Sequence, residues 1–187
     1  RTTGPPRAWL GLSSDWNDTG NWAPHAVPTH NTDVEIPGSL GNYPVLTSDV
    51  AIASLTQGAG SSLDVAGHRL VINGSLVDAN ITGMQAVELI GVEGTINGQI
   101  SAPIRVDGEL SVTGSLNTAA LEIAANGLLA IGSHTVSVNG DFTSAGVLAM
   151  HSNDGTLNIT GAANFVGGST SGHLQAGRIN LQGNLTI

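Results

Sequence analysis

From residue 70 to its C-terminus the chain repeats one short template, apolar-x-apolar-x-Gly-x-apolar. Self-comparison aligns Gly74, Gly94, Gly114, Gly140, Gly161 and Gly183 in steps of 20, 20, 26, 21 and 22 residues. Four positions before each glycine stand Leu70, Ile90, Leu110, Val136, Leu157 and Ile179. Two before stand Ile72, Val92, Val112, Val138, Ile159 and Leu181, and two after stand Leu76, Ile96, Leu116, Phe142, Ala163 and Leu185. The residue just before the glycine is always polar: Asn73, Glu93, Thr113, Asn139, Thr160 or Gln182. Apolar side chains at period two face one way and the interleaved polar ones the other, which is the pattern of a half-buried strand. The one small residue in the apolar set, Ala163, has Phe165 two positions later.

A unit of about 20 residues cannot bury its own apolar face, so successive units must stack. The pattern predicts an all-β chain, a right-handed parallel β-solenoid (β-helix) of about 20–22 residues and three short strands per coil. The hand follows from the strong right-handed bias of parallel crossovers. Stacking at ~4.8 Å turns each equivalent position into an interior ladder, and Ile72, Val92 and Val112 are predicted to share one. Glycine and the Asn-Gly pairs at 73–74, 97–98, 126–127 and 139–140 suit the corners between strands. The six extra residues of the 26-residue unit are predicted to loop out within Asn126–Thr135. A β-sandwich also has short strands and frequent turns, but it has no reason to hold one template in register through six units. Asn184–Ile187 opens a seventh unit without a polar cap. The expected partners are therefore neighbouring coils, supplied by more of the chain or by copies of itself end to end.

Composition divides the chain near Ser48. Six of the seven prolines and all three tryptophans lie in residues 1–48, whereas 21 of the 26 glycines lie in residues 49–187. The first part reads as an irregular Trp/Pro-rich N-terminal cap and the second as the solenoid body. The five basic residues are all arginine, against 14 acidic ones, for a net charge of -9. With no basic cluster, nucleic acid and anionic membranes are poor partners. No apolar run approaches the ~20 residues of a membrane-spanning helix. The chain has no cysteine, so disulfides, thiol catalysis and thiolate metal sites are excluded.

Candidate sites are few. Trp16 and Trp22 lie in a turn-rich segment and offer flat faces for sugar stacking, although large rings equally suit plugging the end of the solenoid. Asp15, Asp18 and Asp33 are oxygen donors for a Ca²⁺ ion in the cap, a site whose spacing matches no EF-hand loop. No other cofactor is expected. The six histidines (His25, His30, His68, His134, His151 and His173) form no sequence motif for a metal. The body carboxylates are scattered rather than paired, so no residue is singled out as catalytic and a non-enzymatic chain is expected. The contrasting expectation is a carbohydrate-binding or polysaccharide-degrading β-helix module, with surface glycans as partners.

The repeated units over residues 50–187 resemble the Gly/Asn-rich β-solenoids of bacterial surface and secreted proteins, of the filamentous-haemagglutinin and autotransporter-passenger type. The first 40 residues are similar to a segment that often precedes such bodies. The matching residues are Trp9, Asp15-Trp16-Asn17, Asn21-Trp22, Pro28 and Asp33-Val34-Glu35-Ile36-Pro37. The Asn-Pro-Asn-Leu motif of two-partner-secretion haemagglutinin domains is not present. The resemblance implies an extracellular, cell-surface chain, structural or adhesive, part of an adhesin, stalk or filament.

Overall fold

A computed structural model describes residues 5–91, 93–169 and 171–187. It is a parallel β-solenoid whose coils visit three faces in the same order, most of them with a strand on each. The first face is an eight-stranded sheet running from Val50–Ile52 through Leu70–Ile72, Val87–Leu89, Ile104–Val106, Leu121–Ile123, Phe142–Ser144 and Ala163–Phe165 to Leu185–Thr186. The other two faces belong to one thirteen-stranded sheet. They are continuous because three long strands, Leu76–Thr82, Gly94–Ile100 and Glu109–Thr118, run through the corner between them. Where Gly94–Ile100 turns that corner its register shifts between Ile96 and Gly98. Gly98 has φ +121°, and a Cβ there would lie 2.3 Å from the Ala79 carbonyl oxygen, so only glycine fits.

The interior consists of aliphatic ladders, as the alternation requires. On the first face Val50, Leu70, Val87, Ile104, Leu121, Phe142, Ala163 and Leu185 stack in register, so successive coils span 20, 17, 17, 17, 21, 21 and 22 residues. On the third face Val136, Leu157 and Ile179 form one ladder and Val138, Ile159 and Leu181 the next, as the glycine alignment predicts. The ladder expected from Ile72, Val92 and Val112 does not form. Ile72 pairs with Leu89 on the first face, Val112 pairs with Ile96 on the second, and Val92 lies outside the described residues. Ile90, expected inside, is 41% exposed. The physical reason is that strand–corner–strand looks alike at every corner. Gly74 sits between the first and second faces, whereas Gly140, Gly161 and Gly183 sit between the third and the first, and the 17-residue coils let the alignment slide from one to the other.

The same slip explains the apparent 26-residue unit. Asn126–Thr135 is not a loop: Leu128–Ala130 is a second-face strand, paired with Glu109–Ser111 below and Val147–Ala149 above. The glycine column that does run in register was hidden for this reason. Gly91, Gly108, Gly127, Gly146 and Gly168 stack at the corner between first and second faces. A Cβ on any of these would meet a backbone carbonyl oxygen of the coil below at 2.3 Å or less.

The solenoid begins inside the compositionally distinct N-terminal part. Asp33–Ile36 is already a second-face rung, parallel to Ser54–Gln57 on one side and to Arg7–Trp9 on the other. Trp22–Ala23 then pairs antiparallel with Arg7–Trp9, and this reversal ends the sheet. Trp9, Trp16 and Trp22 lie over the first coil, packed into the same core as Val34, Ile36 and Leu46.

Candidate functional site

The tryptophans close the end of the rod. All three are at most 1% exposed, with Trp9 and Trp22 edge to face at 4.9 Å and Trp16 and Trp22 at 4.7 Å. Trp22 Nε1 donates to the Trp16 carbonyl at 2.8 Å and Trp9 Nε1 to the Asn42 carbonyl at 2.9 Å. Sugar stacking requires an open ring face, and neither Trp16 nor Trp22 has one. That expectation is corrected: the rings seal the apolar interior that an end coil would otherwise expose.

The expected Ca²⁺ set is not assembled either. Asp15 Oδ1 accepts from the Asn17 backbone N–H at 2.9 Å, and Asp18 Oδ1 accepts from that of Gly20 at 2.8 Å, capping the 3₁₀ turn Thr19–Asn21. Asp33 accepts a hydrogen bond from the Ser54 hydroxyl, on the second face. Each carboxylate serves a different local turn or strand pair, and among the described residues no three His, Asp or Glu side chains gather to hold an ion. Asn21, a further oxygen donor in the same stretch, is fully buried, its amide bonded to Ser13 and to the Asp15 carbonyl.

Arginine and carboxylate side chains form a ladder on the outside of the first face. Glu88, Arg105 and Glu122 stand in register on adjacent coils. Arg69 reaches Glu88, with Nε 2.8 Å from Oε1, and Arg105 bonds both Asp107, at 2.9 Å, and Glu122. The hydrogen bond and charge of Glu88 raise the Arg69 pKa above its ordinary value, and those of Asp107 and Glu122 do the same for Arg105. These guanidinium groups hold coils to one another.

One concave feature of the surface is a polar groove. It occupies about 490 Å³ where the first and second faces meet near the capped end, lined by His30, Asn31, Asp33, Ser54, Asn73 and Ser75. The chain folds this way because Asp33, Ser54 and Ser75 are outward residues of successive second-face rungs, beside the loop that carries His30. Asn73 Nδ2 donates to the His30 carbonyl at 3.0 Å and pins that loop to the body. Small residues, Ala53 and Gly74, form the floor. The walls present hydrogen-bond donors and acceptors, with Asp33 the single carboxylate among them. Such a lining suits a hydroxyl-rich ligand, and the paired carboxylates of glycosidase chemistry are not both supplied by it. Of the sequence-derived candidates only Asp33 contributes. Ser54 and Ser75 were invisible to the glycine alignment, because they line up with Asp33 only in the true coil register, 33–54–75, and Asn73 stood in that alignment only as the polar residue before Gly74.

No family model matches the chain, and comparisons with curated proteins and with solved structures find no match.

Proposed function

We propose that this chain is a non-enzymatic structural or adhesive module of an extracellular surface protein, an elongated spacer that carries short polar side chains on a rigid core. The observation that supports this most is the unbroken stack of aliphatic ladders through eight first-face strands, sealed at one end by tryptophan. Such a core resists bending, and its outer faces repeat every ~4.8 Å, the geometry of a scaffold or of multivalent contact. The resemblance to bacterial β-solenoid surface proteins points the same way.

The groove at Asp33, Ser54 and Asn73 favours one more specific reading, recognition of surface glycans through their hydroxyl groups. Both readings are tested with the folded chain on a glycan panel and in a depolymerisation assay. The expected outcome is no new chain ends from any polysaccharide. Any glycan retained should be released by Asp33→Asn or Asn73→Ala. Turnover of a polysaccharide overturns the non-enzymatic reading, and binding indifferent to both substitutions removes the groove from it.

A further inference from the structure

Two of the six histidines meet on the surface. His151 follows the second-face strand Val147–Ala149, and His173 lies one coil further on. The backbone sets both positions: the Met150 N–H donates to the His173 carbonyl at 2.7 Å and the Gln175 N–H to the Met150 carbonyl at 3.0 Å, forming the parallel bridge of Met150 with Leu174. Met150 is turned into the core at 1% exposure, so its neighbour His151 turns outward. His173, flanking the bridge on the next coil, is its diagonal neighbour. Their ring centroids are 6.2 Å apart, with planes inclined at 31°.

His151 Nε2 lies 3.2 Å from the Gly172 carbonyl oxygen. A carbonyl oxygen only accepts, so the neutral imidazole carries its proton on Nε2 and leaves the Nδ1 lone pair free. An N–H directed at a backbone carbonyl is how proteins orient an imidazole whose other nitrogen binds a metal.

We propose that His151 and His173 together chelate one divalent late-transition-metal ion, of the Ni²⁺, Cu²⁺ or Zn²⁺ class, across two adjacent coils. An ion held ~2.0–2.1 Å from each nitrogen places the ring centroids roughly 5.2 Å apart at a tetrahedral angle and about 6.4 Å apart when the nitrogens are trans. From the observed 6.2 Å the two surface rings therefore bind nearly trans or close by about 1 Å. Two imidazoles and no carboxylate select this class over Ca²⁺ or Mg²⁺, and water completes the shell. The ion ties the segment 166–177 to the coil below. Among the described residues of that segment, the bridge at Leu174 is the one β-pairing.

The test is calorimetric titration of the untagged chain with Ni²⁺ near neutral pH, with hydrogen exchange of segment 166–177 as a second readout. The expected result is saturable one-to-one binding that slows exchange there. His151→Gln and His173→Gln should each weaken it at least ~10-fold, because loss of a ligand is no milder than loss of an outer-shell partner. Both histidines are at least partly exposed, so these variants keep the fold, which circular dichroism verifies. His134→Gln is the control and should change nothing. Absence of saturable binding, binding unchanged in either variant, or equal loss in the control overturns the proposal.

Discussion

The three indoles of the cap do unequal work at the residue scale. Trp22 is edge to face with both other rings and donates its N–H within the cluster, whereas Trp16 Nε1 is buried without a partner. Truncating a buried tryptophan costs roughly 3–5 kcal/mol, so Trp22→Ala should lower the denaturation midpoint sharply. Phenylalanine separates the ring from its N–H. Trp22→Phe loses a made hydrogen bond, while Trp16→Phe removes a donor that is buried and unsatisfied. Chemical denaturation should therefore rank Trp16→Phe as the milder change, and the reverse order would mean that Trp16 has a partner in solution.

Packing between rungs decides stability at the scale of the strand. Phe142 lies between Leu121 and Ala163 on the first-face ladder and meets Phe165 edge to face at 5.5 Å. The small side chain at 163 is the complement of the large one below it. Ala163→Leu should overpack the ladder at a cost of about 1–3 kcal/mol, and Phe142→Ala should leave a cavity costing about 3–5 kcal/mol. Because each change relieves the other, the double variant should be more stable than the sum implies by at least ~0.5 kcal/mol, measured as a double-mutant cycle. Additive behaviour would show that the two rungs do not touch. The arginine ladder adds no pH dependence near neutrality. Each arginine's folded pKa is raised, so its contribution is complete below the unfolded value and fades only as pH climbs through the folded one, far into the alkaline range.

At the scale of the whole molecule, each coil touches only its neighbours, so local stability tracks how well both sides are covered. The N-terminal coil is sealed by tryptophan, and the middle coils are covered above and below. In the final coil Leu185 is 55% exposed and Arg178–Leu181 has no buried residue. Hydrogen exchange on this 187-residue chain should be slowest in strands between Leu70 and Ile123 and fastest from Arg178 to Ile187. Uniform protection to the last coil would require a cover there, and a rise of that protection with protein concentration would identify it as self-association.

What the sequence determined by itself is the class of fold: alternating aliphatic residues, glycine at intervals near 20 and the absence of helical spacing admit little besides stacked parallel coils. The compositional break near Ser48 does not coincide with the start of the coils, since Asp33–Ile36 is already a rung, but the ring-plug alternative for the tryptophans was readable from their size alone. The coil register was not legible, because Leu70-Val71-Ile72 and Leu110-Ser111-Val112 carry apolar residues at the same two spaced positions although they lie on different faces. Only backbone pairing distinguishes one corner from another, and coils of 17 and 22 residues in one rod defeat any fixed period. The sites depend on that register. Asp33, Ser54 and Ser75, or His151 and His173, are unremarkable in a string of letters and become neighbours only when the hydrogen-bonded ladder sets which residue lies above which.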